Sequence, residues 1–471
     1  MRQEQSKDRN PNSSVRNFNA EAQRLLRHSI KAHGKKNLQR FAAKTRSKSL
    51  GQPIPNSIRS ASVGRGFDIC PRVLLPGKWK VLSRGIEQRT RAIDAFLDDL
   101  HGMGNVVRRG ILNERIAYEC IYSPTLGGVS PPGGGYSVLA SVDLAVGGNG
   151  MFYCVEKGNP SAQDIANLRA NRIAMRTTFP EIFAETRIAS TEAFWINYRS
   201  ALLRAANSDH MSSCIAVAAD FPSIEIDFIA DRIAATPAIW SDFRISRGKI
   251  ALKTTDGLKP VKVICHFGDS VPDPLFSGDP NLAGTAGILS VFRAAGVIIA
   301  NAPDAGVAEN NKIHAKLPDL IKFYLGEEPV LENWPCWQGD NERERNWMLD
   351  NLDRLEILKA SGFGGRAAFE GIETGNEEIG EIRDIVRASP DDFIARLPVA
   401  ETSLADFKGY ANPKGFERLT LFAMRSDDGF AAVEGGVSET AAYRGQAEFT
   451  GTSRFRDVWI LKGDDGAVSA C

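Results

Sequence analysis

Two acids bracket one turn. Asp143 sits in the apolar run Val142-Asp143-Leu144-Ala145-Val146, and Glu156 closes Met151-Phe152-Tyr153-Cys154-Val155-Glu156. Gly147-Gly148-Asn149-Gly150 lies between them, and two apolar runs around such a turn predict a β-hairpin. Pairing Val146 with Met151 puts Asp143 opposite Cys154, with Glu156 two residues further along the same face. Diagonal neighbours on one face lie roughly 7–8 Å apart at Cβ, close enough for two carboxylates to converge. They repel unless a cation lies between them. Asn159 adds a neutral oxygen just beyond. Hard oxygen ligands, few and incomplete, suit Mg²⁺ shared with phosphate oxygens. The alternative is a plain hairpin with both acids in water, and spacing alone does not separate the two.

Three further positions carry chemistry. Lys359 ends the apolar run from Leu355 and opens Ala360-Ser361-Gly362-Phe363-Gly364-Gly365-Arg366. A small-residue loop after a strand can cradle phosphates with backbone N–H groups while the ammonium neutralises charge. No G-K-[ST] follows, so this is not a Walker A loop. Arg172 falls on a helix expected from about Ala162 to Arg176, where it can meet a phosphate or carboxylate or simply face solvent. His266 ends an apolar run and reads as structural. The turn Pro131-Pro132-Gly133-Gly134-Gly135, which leads into the hairpin, reads as a plain tight turn.

The elements that must position these residues alternate. Trp79, Leu82, Ile86, Ile93, Phe96, Leu97 and Leu100 fall at helical spacing and stop at Gly102 and Gly104. Between 200 and 300, buried strands at 214–220 and 296–300 alternate with helices at 224–234 and 282–295, with further strands between 249 and 267. That alternation predicts an α/β layer with a substantially parallel sheet. After a helix at 311–324, strands dominate at 355–359, 393–398, 419–424, 430–433 and 458–461. Trp334 and Trp337 read as packing residues. The expected class is α/β (α+β), with mixed sheets and helices.

The chain has 471 residues, room for two or three domains. At 43% hydrophobic and 24% charged it has an ordinary globular composition. Its net charge of +1 hides an asymmetry: residues 1–60 hold 14 Lys/Arg against 3 Asp/Glu, leaving 44 against 54 in the remainder. The divisions expected are a basic, mobile arm at 1–60, a helix-plus-hairpin region at 61–200 and an α/β region at 201–310. A region carrying the Gly-rich loop follows at 311–461, with a tail at 462–471. Within the arm a short helix is expected at about 20–32. Nucleic-acid contact by the arm stays open, although no aromatic interleaving supports base stacking. Seven cysteines without a C-x-x-C pair argue against a disulfide framework or a zinc site. No apolar run approaches 18 residues and the N-terminus shows no secretory signal, so a cytoplasmic location is expected.

The order of these pieces resembles the circularly permuted ATP-grasp family of type 2, distantly similar to glutathionylspermidine synthase. The resemblance runs from about Gly66 to Leu461. It is carried by L-S-R-G-I-E-Q-R-T-R-A-I-D-A-F-L-D-D-L near 90, P-P-G-G-G-Y near 133, and V-D-L with V-E ending at Glu156. Asn171-Arg172, A-N-A-P near 302, L-P-D-L-I-K-F-Y-L-G-E-E-P at 317–329, L-K-x-S-G-x-G-G at 358–365 and D-V-W-I-L at 457–461 continue it. It implies a permuted ATP-grasp architecture in which Mg²⁺ bridges ATP phosphates to Asp143 and Glu156, assisted by Asn159. Lys359, Ser361, Gly362, Gly364 and Gly365 would grip the phosphates, and Arg172 would serve as the catalytic cation. The implied reaction is ATP-dependent carboxylate–amine ligation through an acyl phosphate. Such a site of acids, metal, Lys and Gly works by charge neutralisation and alignment. Small-molecule or peptide carboxylate and amine substrates are implied, as are alpha-E or transglutaminase-like partner proteins.

Several positions depart from the family pattern. Relatives read E-D-N-L-R-x-P-S-G where this chain has Glu156-Lys157-Gly158-Asn159-Pro160-Ser161-Ala162: the metal-binding Asn has become Gly158, with Asn159 as a displaced substitute. A paired Arg at a strand end becomes Cys265-His266-Phe267, L-R-x-F becomes Leu419-Thr420-Leu421-Phe422, and G-G-L-x-R becomes Gly435-Gly436-Val437-Ser438-Glu439. Each Arg lost from a phosphate site removes about 1.5–3 kcal/mol of charge-assisted contact. The thinned cation ring leaves two expectations: a ligase with an altered substrate, or a degenerate pseudo-enzyme that keeps the fold as a binding or scaffold protein.

Overall fold

The computed structural model describes residues 22, 24–50, 66–119, 129–132, 134–147, 149–206, 215–267, 287–360, 369–371, 375–399, 401–403, 414–441 and 453–462. The hairpin expected around residue 150 forms one edge of the largest sheet. From that edge the order is Phe152–Gly158, Leu139–Val146, Lys414–Ser426, Gly429–Ala441 and Arg454–Ile460, all antiparallel. Gly66–Phe67 and Arg72–Leu74 pair with Arg454–Ile460 in parallel, closing N-terminal chain against C-terminal chain.

Period-two alternation gives this sheet two covered faces. Val142, Leu144, Leu419, Leu421 and Val458 pack with Leu82 and Ile86 of the helix Pro76–His101. On the other face Leu139, Phe422, Val437 and Phe455 meet Ile165, Leu168 and Met175 of the helix Ala162–Thr178. Each such side chain stabilises by about 1.5–3 kcal/mol relative to exposure. Asp143 shares the second face. The covering helix starts where the sequence places it, because Ser161 accepts the Asp164 N–H at its first turn.

The α/β expectation for 200–300 holds. Ile298–Ala300, Val263–His266, Ile215–Ala219 and Thr236–Ile239 lie side by side, every pair parallel. The strands Phe243–Ser246, Lys249–Thr254 and Gly257–Pro260 form a separate antiparallel meander. Of the helix expected over 282–295, Ile288–Arg293 is described. Lys359 belongs to a third sheet, ordered Cys336–Gln338, Phe393–Arg396, Glu356–Lys359 and Phe369–Glu370. That sheet has its own core of Met348, Leu352, Ile357, Val386 and Ala395.

The helix Asn311–Leu325 links the third sheet to the hairpin. Asn310 caps it by accepting the Lys312 and Ile313 N–H groups. Pro318 lies inside this helix and cannot donate to the carbonyl of His314. The Asn333 amide donates to that carbonyl instead, at 2.8 Å, so the proline leaves no orphaned acceptor.

One expectation is corrected. The basic stretch read as a mobile arm includes an ordered helix, Lys35–Ser49, that packs on Ala162–Thr178. Leu38 and Ala42 are buried, and Arg46 donates from Nε to Asn171 Oδ1 at 2.8 Å and from Nη2 to Asn167 Oδ1 at 2.5 Å. A charge count cannot see this, because Leu38, Ala42 and Arg46 lie at helical spacing among cations that face water.

Candidate functional site

The hairpin register differs from the expected one. Val146 pairs with Phe152 and Leu144 with Cys154, and a bulge then brings Asp143 directly opposite Glu156. The acids are cross-strand neighbours rather than diagonal ones, because an extra residue is accommodated at Val155. Lys157 stands opposite Val142, one step off the Asp143–Glu156 row.

Asp143 has polar company from the neighbouring strand. Thr420, its register partner, donates its hydroxyl to Oδ1 at 2.6 Å. The Arg418 guanidinium stands 3.8 Å from Oδ2, while its Nη2 bonds Glu439 Oε2 at 2.7 Å. Burial pushes the Asp143 carboxyl above its usual range, opposed by Arg418 and by the Thr420 hydrogen bond. The Asp143 side chain is 16% exposed, and the Arg418 guanidinium that approaches it is itself bonded to Glu439.

Asn159 is held rather than loose. Its Oδ1 accepts from Asn301 Nδ2 at 2.7 Å, and its backbone N–H donates to Glu309 Oε1 at 2.8 Å. Asn301, from the A-N-A-P block, in turn accepts from Val138 N and Leu139 N and donates to Leu139 O. This one amide welds the start of the hairpin to the end of the parallel sheet.

Lys359 ends its strand exposed, paired in register with Phe393. Its carbonyl accepts from Asn311 Nδ2 at 3.0 Å, and the next carbonyl, of Ala360, accepts from Lys312 N at 3.3 Å. Glu309 and Asn311 are two residues apart, so a single turn of chain ties the acid hairpin to the lysine strand. Ser361, Gly362, Gly364 and Gly365 lie outside the described residues.

Arg172 is placed differently from its expected role. It is buried, and its Nε donates to Asp457 Oδ2 at 2.8 Å, its Nη1 to Ala189 O at 2.6 Å and its Nη2 to Val458 O at 2.7 Å. Each nitrogen is engaged by the last strand, or by the chain beside it, so the structure makes it a clamp rather than an open cation. His266 is structural as expected: its ring meets Trp240 at 5.1 Å. Burial pulls its pKa down from 6.5 to about 4. Because the unfolded chain binds that proton more readily, stability is complete above pH 6.5 and falls as pH drops towards 4. The loss is on the order of 3 kcal/mol. Thermal melts of His266→Phe across this range should be correspondingly flatter than those of the wild type.

The turn before the hairpin is plain, as expected, with Gly134 N bonded to Pro131 O at 3.1 Å. Gly135 is needed for space: a β-carbon there would overlap the Arg425 guanidinium, which reaches past it to Asp94 Oδ2 at 2.6 Å. Asp94 Oδ1 fixes the entering strand by accepting Tyr136 N and Ser137 N. Sequence reasoning missed Glu309 and Arg418, and read Thr420 only as a lost Arg rather than as the partner of Asp143. Thr420 and Arg418 were within reach, standing at register steps that pair with Asp143 and Ala145 once the sheet order is known. Glu309 carries no spacing signal.

Comparison with known proteins fits this geometry. The model of the family "Circularly permuted ATP-grasp type 2" matches residues 71–441. The chain belongs to that family. It is 28% identical to an uncharacterized protein of Synechocystis over 410 residues, covering 84% of each chain. It is 26% identical to an uncharacterized protein of Mycobacterium tuberculosis over 436 residues, 89% of this chain and 78% of the other. A Frankia casuarinae protein named "Putative glutamate--cysteine ligase 2-2" is 27% identical over 348 residues, covering 72% of this chain and 40% of that one. Among solved structures, a glutathione synthetase-like effector from Globodera pallida shares the fold at a TM-score of 0.51 and 10% identity, over 91% of this chain and 98% of that one. Family and relatives together support an ATP-grasp ligase at the level of the family. Among the described residues no helix is long and apolar enough to cross a membrane.

Proposed function

We propose that this chain is an ATP-dependent carboxylate–amine ligase whose site spans the acid hairpin and the Lys359 strand. The observation that carries this reading is the short segment 309–312, which bonds to Asn159 at one end and to the Lys359 and Ala360 carbonyls at the other. The residues present fit a divalent cation. Two acids stand in register on facing strands, and Asn159 follows on the same chain with a neutral oxygen. Asp143, Glu156 and Asn159 would hold Mg²⁺, and Lys359 with residues 361–365 would hold the phosphates.

When bound, Mg-ATP would supply the phosphoryl group that turns a substrate carboxylate into an acyl phosphate with release of ADP, and an amine would then displace inorganic phosphate to leave the amide. Lys359 neutralises phosphate charge from an exposed strand end. The Thr420 hydroxyl holds Oδ1 of Asp143 and so restrains the carboxylate. Asn301 keeps Asn159 in place and so fixes the neutral oxygen. Substrates of this class are small-molecule or peptide carboxylates and amines, and the cytoplasm, where ATP is abundant, is the compartment that suits the reaction.

One observation favours the degenerate reading. Glu439 stands where relatives carry an Arg, and the Arg418 it binds approaches Asp143 as an internal cation. Equilibrium binding of a fluorescent Mg-ATP analogue separates the two readings. Asp143→Asn and Lys359→Ala should each weaken it by about 10- to 100-fold, the effect of losing one charge-assisted contact. Equal affinity in both variants and the wild type would remove the ligase site.

A further inference from the structure

The helix Lys35–Ser49 presents its charge outward as an ordered surface. Residues 24–50 hold nine Lys/Arg and no Asp/Glu, and all nine except Arg46 are exposed. The body fixes this helix from two sides. Arg46 turns inward to Asn167 and Asn171, with its guanidinium 5.1 Å from the centre of the Phe455 ring. Gln39 Oε1 accepts the Ile69 N–H at 3.3 Å. Helical residues advance by about 100° each, so the buried Leu38, Ala42 and Arg46 form one face and Lys36, Arg40, Lys44 and Lys48 the opposite one. Those four cations stand at i, i+4 steps along about 18 Å of helix. Like charges at that spacing repel and destabilise a helix. Among the described residues no carboxylate pairs with any of the four. Phe41, 50% exposed, lies at the margin of the row.

We infer that this face is a docking surface for the sugar–phosphate backbone of a nucleic-acid duplex, held without regard to base sequence. The function is independent of the ligase reading. Charge complementarity selects a polyanion, because a regular row of cations left unneutralised by the protein is matched by a regular row of anions. The row is as long as about five phosphates of one duplex strand, at 3.4 Å each along the axis. Three of its four members are lysines, which meet phosphates as point charges rather than by bidentate recognition. Such contacts position a duplex and carry no sequence information. A single strand is bound by aromatic platforms, and here one aromatic ring stands at the edge. An anionic bilayer takes up the apolar face of an amphipathic helix, and in this helix Leu38 and Ala42 are already buried against the body. Because the helix is docked, the row is ordered before a partner arrives, which lowers the entropic cost of binding.

The test is fluorescence anisotropy of a short labelled DNA duplex of mixed sequence, titrated with the full chain between about 50 and 200 mM salt. The wild type should bind, with log Kobs falling linearly against log salt. Combining Lys36→Gln, Arg40→Gln, Lys44→Gln and Lys48→Gln should reduce the magnitude of that slope by about 3–4, at roughly 0.9 per phosphate contact. The same variant should bind at least about tenfold more weakly at the lowest salt. All four side chains are exposed, so its melting temperature should be no lower than that of the wild type. Lys36→Arg, Lys44→Arg and Lys48→Arg together keep the charge and should keep both affinity and slope. No binding by the wild type, or a wild-type slope in the Gln variant, would overturn the assignment. So would tighter binding to the corresponding single strand, or binding to phosphatidylserine vesicles without binding to the duplex.

Discussion

Replacing Arg172 by Met is expected to lower the unfolding free energy by about 3–5 kcal/mol, the loss that follows when one partner of a buried ion pair is removed. The side chains of Arg172 and Asp457 are 6% and 1% exposed. Without the guanidinium, Asp457 keeps the Trp459 Nε1 hydrogen bond at 2.8 Å, while the Ala189 and Val458 carbonyls lose their donors. Burial already pushes the Asp457 carboxyl upward and Arg172 opposes it. In the variant the folded state therefore holds this proton more tightly than the unfolded chain, whose value is near 3.8. Stability then recovers as pH falls, so the gap to the wild type should narrow in acid. Urea midpoints at neutral and acidic pH measure this, and adding Asp457→Asn should restore part of the loss. A change below about 1 kcal/mol would mean that Arg172 is an open functional cation after all.

Glu417→Ala should be as damaging, again about 3–5 kcal/mol. Its fully buried carboxylate accepts from Arg72 Nε at 2.8 Å, Ser438 Oγ at 2.5 Å and Arg456 Nη1 at 3.4 Å. Arg72 is on the short strand Arg72–Leu74 and Arg456 on the strand Arg454–Ile460, so this one acid ties both to the central strand Lys414–Ser426. Removing it leaves two guanidinium groups buried beside each other. The expected readout is a single, lowered unfolding midpoint. An unshifted midpoint would show that the two strands are held by apolar packing alone.

How far the sequence was legible depended on whether a signal was local. The helix Pro76–His101 and the parallel strands Ile215–Ala219, Val263–His266 and Ile298–Ala300 announce themselves by period and length, whereas Thr236–Ile239 does not. The hairpin was legible as a hairpin, but its register was not. The glycine-rich turn leaves one residue of slack, and the bulge that puts Asp143 against Glu156 is set by the pairing of Leu144 with Cys154 in the core. Arg172 shows the reverse case. On its helix it could meet a ligand or face solvent, and only the distant strand Arg454–Ile460 reveals the partners that claim it. Glu309 was invisible for the same reason, because its neighbour at Asn159 lies far away in the chain. Lys35–Ser49 was obscured by composition: its cations outnumber the three side chains that dock it.

The central claim is that the acid hairpin and the Lys359 strand form one site for a metal-bound triphosphate. Thermal unfolding of the full chain with millimolar Mg-ATP, compared with ATP in excess chelator, addresses it most directly. A ligand present at about 100 times its Kd adds about 2.7 kcal/mol to the folded state. The account predicts a raised melting temperature with Mg-ATP, little change with metal-free ATP, and no shift in Asp143→Asn. A wild-type melting temperature that does not move with Mg-ATP would contradict it.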